Sequence, residues 1–199
     1  MSTHASTFSE EGRWAKNPHD FYQTPKELVF ALLSFVPGNP QRILDVGAGK
    51  GVWGEAARSI WPDAQITGIE LQDFPQPSAY DCWLANTDFL TWKPDHNFDL
   101  VMGNPPYSVQ GTQHGAGKIA RKGYRLLADG GTQLLLLKTE FLNGQWRYEH
   151  LWPKAPWIRF LSPLNARRST AMGILTASSI PAFCGGKPPS DNRIRLSSS

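Results

Sequence analysis

Asn104-Pro105-Pro106-Tyr107 brings together residue types that suit one kind of chemistry. The asparagine side chain carries a carbonyl oxygen that accepts hydrogen bonds. Two prolines fix the backbone, remove two N–H donors and leave main-chain carbonyls to accept. Tyr107 adds a flat ring beside those acceptors. A rigid acceptor pair next to a stacking platform suits a planar compound bearing an –NH2 group. Methyl transfer to an exocyclic amine is the reaction such a site serves. Asn104, Pro105, Pro106 and Tyr107 are therefore the candidate catalytic residues.

An adenine amine is a poor nucleophile because its lone pair is delocalised into the ring. The Asn104 side-chain oxygen and the Pro105 carbonyl can accept its two hydrogens and draw the nitrogen toward tetrahedral geometry. The lone pair is then exposed for in-line attack on an electrophilic methyl group. Positioning and fixed dipoles carry such a reaction, with no metal and no covalent intermediate. Neither Cys82 nor Cys184 is placed to attack a pyrimidine ring, which argues against methylation at cytosine C5. Their spacing matches no metal site or disulfide framework, and they read as small buried hydrophobes.

A strand must present the tetrapeptide. Phe98 to Gly103 is an apolar run that reads as a buried parallel strand, and its carboxyl end is where open α/β sheets bind ligands. Upstream, Asp45 to Gly51 spells D-x-G-x-G-x-G directly after a short strand, Arg42 to Val46. Glycines there permit a tight turn and close approach of a ligand to the backbone. Dinucleotide-binding proteins use a related turn. Glu70 ends a second strand, Gln65 to Leu71, where a carboxylate can accept both hydroxyls of a ribose. Asp88-Phe89 ends a third strand within Cys82 to Leu90, where a carboxylate can take an adenine amino group while the ring packs on the base. Four consecutive strands thus deliver a polar group to one edge. A dinucleotide would call for a second such motif after the fourth strand, and none follows.

The remaining elements alternate. Thr24-Pro25-Lys26-Glu27 has the form of a capping box with proline at the first helical position. Leu28, Ala31, Leu32 and Phe35 then recur at helical spacing until Pro37-Gly38. Val52 to Ile60 predicts a second helix, and Lys118 to Ala128 a third that Gly130-Gly131 ends. Thr132 to Lys138, Trp157 to Leu161 and Met172 to Phe183 predict three further strands, one of the last two running antiparallel at the edge. The fold class is α/β, a mostly parallel seven-stranded sheet with helices on both faces.

With 199 residues the chain suits one domain. Residues 1–19 read as a flexible segment, 20–184 as the domain, and 185–199 as a disordered tail. Forty per cent hydrophobic and 19% charged is ordinary for a soluble protein, and no stretch approaches a membrane span. Without a signal-peptide pattern at the start, the expected location is cytoplasmic. Charge is divided unevenly. Met1 to Val109 holds 7 basic against 13 acidic residues, and Gln110 to Ser199 holds 13 against 4. An acidic small-molecule end and a basic end facing a polyanion follow from that division.

Phe21-Tyr22-Gln23-Thr24-Pro25, the glycine motif Asp45 to Gly51 and the tetrapeptide Asn104 to Tyr107, in this order, carry a family resemblance over roughly residues 20 to 140. The chain resembles the S-adenosylmethionine-dependent N6-adenine DNA methyltransferases, in a compact stand-alone form of the kind common in phages and mobile elements. The resemblance implies a Rossmann-like class I methyltransferase fold and S-adenosylmethionine as cofactor. It implies that Tyr22 and Thr24 hold the methionine end, and that Asp45 orients the glycine turn and meets the amino group. Gly47 and Gly49 would lie against the ligand, Glu70 with Leu71 beside it would bind the ribose, and Asp88 with Phe89 the adenine. Asn104 completes the cofactor-binding set.

The partner expected is nucleic acid, DNA ahead of RNA, with the target base flipped out of the duplex. No membrane and no obligate protein partner are called for. His114 lies in a glycine-rich segment, Gln110 to Gly117, that follows the tetrapeptide and reads as a lid. Lys118, Arg121, Lys122 and Arg125 recur at helical spacing and can meet phosphates. Arg159, Arg167 and Arg168 surround the loop after the sixth strand, which in related enzymes helps hold the target base or DNA. Phe141, Phe160 and Phe183 are candidates for a second aromatic wall. The chain departs from larger family members in having no room for a separate target-recognition domain, so short or relaxed specificity is expected. RNA adenine-N6, cytosine-N4 and protein-glutamine methylation are the alternative activities. A non-catalytic nucleic-acid-binding protein with a vestigial cofactor fold is the alternative from another class.

Overall fold

The computed structural model describes residues 24–106, 114–138, 141, 145–150, 158–161 and 172–178. Eleven elements follow one another: α1 (Lys26–Leu33), β1 (Arg42–Val46), α2 (Val52–Ile60), β2 (Gln65–Ile69), β3 (Cys82–Leu84), β4 (Phe98–Gly103), α3 (Gly115–Arg125), β5 (Leu127–Lys138), α4 (Gln145–His150), β6 (Ile158–Leu161) and β7 (Met172–Ser178). The seven strands form one sheet in the order β3-β2-β1-β4-β5-β7-β6. β1 to β5 pair in parallel. β7 runs antiparallel to both β5 and β6. The antiparallel strand is therefore one place in from the edge, and β6 takes the edge itself.

Alternating side chains divide the core between the two faces of the sheet, as strand geometry requires. Ile43, Ile66, Met102, Leu134 and Leu136 pack with Val29, Leu32, Trp53 and Ala57 from α1 and α2. Leu44, Val46, Val101 and Ile119 form the cluster on the α3 side. Leu135 and Leu137 meet Ala116, Ala120 and Phe141. Arg58 fastens α2 to the ends of β2 and β3. It donates to the carbonyls of Pro62, Ala64 and Ala79 and pairs with Asp81 at 2.6 Å.

Five expectations change. Thr24 does not cap α1: Pro25 occupies the cap position and no side chain bonds the first amides. The third strand stops at Leu84, so Asp88 and Phe89 lie beyond it in a turn reached through Asn86, which has a φ of 51°. α3 starts three residues earlier than its charges suggest, at Gly115, and ends at Arg125. Gly130-Gly131 stops no helix; it sits inside β5, where Ala128 to Gly131 stand opposite Asp99 alone before regular pairing resumes at Thr132. Cys82 is exposed, contrary to its reading as a buried hydrophobe. Cys184 lies outside the described residues.

Candidate active site

The chain passes from β1 outward to β2 and β3, then returns to place β4 on the other side of β1. That reversal opens a crevice at the carboxyl ends of β1 and β4, the place where doubly wound sheets bind ligands. The glycine turn leaves β1 there, and Asn104-Pro105-Pro106 leaves β4. Gly47 has a φ of 70°, and a Cβ on it would stand 3.3 Å from Pro105 Cα and 3.4 Å from Pro106 Cδ. The glycine turn and the Asn104-Pro105-Pro106 segment are thus in direct contact through a residue that must be glycine. Gly103, with a φ of 144°, plays the matching part on β4, because a Cβ there would strike the Val46 carbonyl.

The second strand braces the glycine turn. The Ile69 carbonyl accepts from the amides of Gly47 and Ala48 at 3.0 and 3.2 Å. Glu70, buried at the end of β2, accepts from the Gly49 amide through Oε2 at 2.8 Å and from the Gln72 amide through Oε1 at 2.9 Å. Its carboxylate is held rigid, and each oxygen keeps a second lone-pair direction. Leu71 beside it is 57% exposed, an apolar side chain left open at the crevice edge.

Asp45 is wholly buried, on the α2 side of β1. Tyr80 donates to its Oδ2 at 2.6 Å and accepts from the Gly54 amide at 3.1 Å. Burial pushes the Asp45 carboxyl up to about 7; the Tyr80 hydroxyl opposes that rise and the charge of Glu70 adds to it. Its Oδ1 has no hydrogen-bond partner among the described residues. A buried carboxylate oxygen left in that state favours a nearby cation, and S-adenosylmethionine carries both an ammonium and a sulfonium. The residues present fit that cofactor: an acid held for hydroxyls, an open apolar side chain beside it, and a buried acid short of positive charge.

Asn104 and Thr24 meet at the crevice. The Asn104 Nδ2 donates to Thr24 Oγ1 at 3.2 Å, and the Trp53 indole N–H reaches the same oxygen at 3.4 Å. Asp88 closes its own turn, accepting from the Leu90 amide through Oδ1 and from the Thr91 and Trp92 amides through its carbonyl. Phe89 is buried in the cluster with Leu44, Val46 and Ile69, so its ring is a core residue. Phe141 is likewise buried against α3 and β5.

The basic residues of α3 divide. Lys118 is exposed, as is His114, which occupies the N-cap position with a φ of 59°. Lys122 turns inward: its ammonium donates to the carbonyls of Phe89, Leu90 and Trp92 and lies 5.0 Å from the centre of the Phe89 ring. Burial holds its pKa below the usual lysine value. Arg121 is half-buried, and its Nε has no partner among the described residues. Arg159 lies on β6 opposite Thr176. Its side chain, like Tyr22, Tyr107, Arg167, Arg168 and Phe183, lies outside what is described.

Tyr80 and Trp53 are functional neighbours that motif reading passes over. A buried aromatic polar group needs a partner, which is the signal for both, and Trp53 also stands two residues after Gly51 of the glycine motif. Among the described residues no cluster of His, Cys, Asp and Glu could hold a metal ion, and no helix is long and apolar enough to cross a membrane.

Known proteins resemble this arrangement. A family model described as "Methyltransferase small domain" matches residues 29–151. A tRNA1(Val) (adenine(37)-N6)-methyltransferase of Glaesserella parasuis is 36% identical over 81 residues, 36% of this chain and 34% of that one. The type II methyltransferase M.CvrRI of Paramecium bursaria Chlorella virus XZ-6E is 30% identical over 142 residues, 61% of this chain and 37% of that one. The chain spans about a third of the length of these curated relatives. A solved methyltransferase of Pyrococcus furiosus superposes with a TM-score of 0.57 at 15% identity, covering 83% of this chain and 91% of that one, which bears on the fold. S-adenosylmethionine is the cofactor, and the chain belongs to the methyltransferase small domain family.

Proposed function

We propose that the chain transfers a methyl group from S-adenosylmethionine to the N6 amine of adenine in DNA. The observation that carries this reading is the anchored asparagine: Thr24 holds the Asn104 amide nitrogen at the end of β4, against the glycine turn. With the nitrogen held there, the carboxamide oxygen is the end left to meet the acceptor amine. When bound, the cofactor supplies an electrophilic methyl group. The chain's own residues orient the acceptor. Asn104 Oδ1 and the Pro105 carbonyl would accept the two amine hydrogens and turn the nitrogen lone pair toward that methyl group, and the N–H proton lost on transfer would pass to solvent. Flipping the base out of a duplex costs a few kcal/mol, and stacking on Tyr107 returns roughly 1–3 kcal/mol.

The chlorella-virus relative, a type II methyltransferase, supports DNA as substrate. The tRNA methyltransferase relative supports a second reading, adenine-N6 methylation of RNA. Incubation with S-adenosylmethionine labelled in the methyl group, separately with DNA, RNA and protein, decides between them. Labelled N6-methyladenine released from DNA supports the first reading, and the same product from RNA alone the second. Label on cytosine or glutamine contradicts both.

A further inference from the structure

Thr24 has the form of a helix cap in the sequence, and its hydroxyl is used otherwise. A threonine hydroxyl offers two lone pairs and one proton. Both groups that reach Thr24 Oγ1, the Asn104 carboxamide nitrogen at 3.2 Å and the Trp53 indole nitrogen at 3.4 Å, are donors only. The hydroxyl therefore accepts twice. Thr24 and Trp53 are both buried, so the indole donor has no water as a substitute, while Asn104 is half-buried at the crevice.

The three residues come from three places in the chain. Thr24 precedes α1, Trp53 lies in the first turn of α2 behind the glycine motif, and Asn104 follows β4. Trp53 is seated in the core with Val29 and Leu32, which fixes its indole and hence the direction of the lone pair it occupies. The second lone pair is left for Asn104. A carboxamide at this position can stand in either of two orientations of almost the same shape, and only one presents oxygen to an amine. With the indole N–H on one lone pair and the carboxamide nitrogen on the other, as here, the oxygen is the end turned away from Thr24.

We propose that Thr24 is a positioning residue for methyl transfer: locked by the Trp53 indole, its hydroxyl sets the orientation of the Asn104 carboxamide. The inference rests on the reading of Asn104 as the amine-holding residue. Its role is distinct from any contact Thr24 makes with the cofactor, because it acts through lone pairs that already face the protein. Trp53 acts one step further back. Losing its N–H frees the hydroxyl to turn without removing it.

Thr24→Val keeps the shape and removes the hydroxyl, Thr24→Ser restores it, and Trp53→Phe removes the indole donor together with some buried ring volume. Steady-state kinetics on an adenine-containing oligonucleotide should show Thr24→Val lowering kcat about tenfold or more with KM for the oligonucleotide within about twofold. Serine should recover most of the loss, and Trp53→Phe should fall between. In parallel, 15N spectra of the cofactor-free protein report the bonds without activity. The Asn104 side-chain amide and the Trp53 indole signals, assigned through Asn104→Asp and Trp53→Phe, should both shift in Thr24→Val and return in Thr24→Ser. Unmoved signals, or a kcat in Thr24→Val equal to wild type, overturn the inference. If the wild type methylates no polynucleotide, the functional reading fails by itself, and the two signals still decide whether the clasp exists. Should Thr24→Val not fold, the same pair of readouts on Trp53→Phe decides: a shifted Asn104 amide with reduced kcat supports the clasp, and no change in either refutes it.

Discussion

A buried carboxylic acid has two ways to meet its surroundings: it can hold its proton, or it can be given a positive neighbour. Among the described residues, neither an arginine nor a lysine acts on Asp45. Complete burial, with a second acid in Glu70 adding to it, pushes its pKa up to about 7 against the opposing hydrogen bond from the Tyr80 hydroxyl at 2.6 Å. The folded state therefore binds this proton more tightly than the unfolded chain, where the ordinary value is 3.8. The stability it contributes is fully present below about pH 4 and is lost as pH rises toward 7, a swing of about 4 kcal/mol at most. Asp45→Asn does not titrate. Urea unfolding at pH 4.5 and pH 8 should show the variant gaining on the wild type by roughly 3 kcal/mol between the two conditions. A gap that stays constant would mean that Asp45 is ionised throughout.

At the scale of elements, the turn from Asp88 to Trp92 is joined to α3 by one side chain. Three carbonyls of that turn converge on the Lys122 ammonium. Helical spacing cannot distinguish a lysine that faces solvent from one that reaches back under its helix, so Lys122 reads like Lys118 in the sequence. Lys122→Met should weaken cofactor binding several-fold in calorimetry and leave the salt dependence of nucleic-acid binding as it was. Lys118→Met should do the reverse, lowering the salt slope by about 1. A lower slope in Lys122→Met with cofactor affinity unchanged would restore it to the phosphate-facing set. The same ambiguity explains the other departures. Thr24 followed by Glu27 is a helix-cap signature, yet the hydroxyl is claimed by Trp53 and Asn104 from far along the chain. Gly130-Gly131 signals a break in regular structure, and a bulge inside a strand satisfies that signal as well as a helix end. What sequence shows well is what local pattern decides: β1, α2 and β4 begin and end where apolar runs and glycines place them. Tyr80 is missed because its partner, Asp45, stands 35 residues away.

At the scale of the whole molecule, the acidic first half is proposed to supply the cofactor edge, and most basic residues come after Asn104 to Tyr107. Lys118, Arg121, Arg125, Arg159, Arg167 and Arg168 are the cations proposed to meet phosphates. Six such contacts on a duplex correspond to a slope of about −5 in log affinity against log salt. Titration of a fluorescent duplex at several salt concentrations measures it, and a slope near zero would remove the polyanion-facing role from this half.

Asn104 carries the central claim, so its removal tests it most directly. Labelled-methyl transfer by Asn104→Ala to adenine-containing DNA should fall below detection while S-adenosylmethionine binds with nearly wild-type affinity. Turnover comparable to the wild type in that variant would contradict the account.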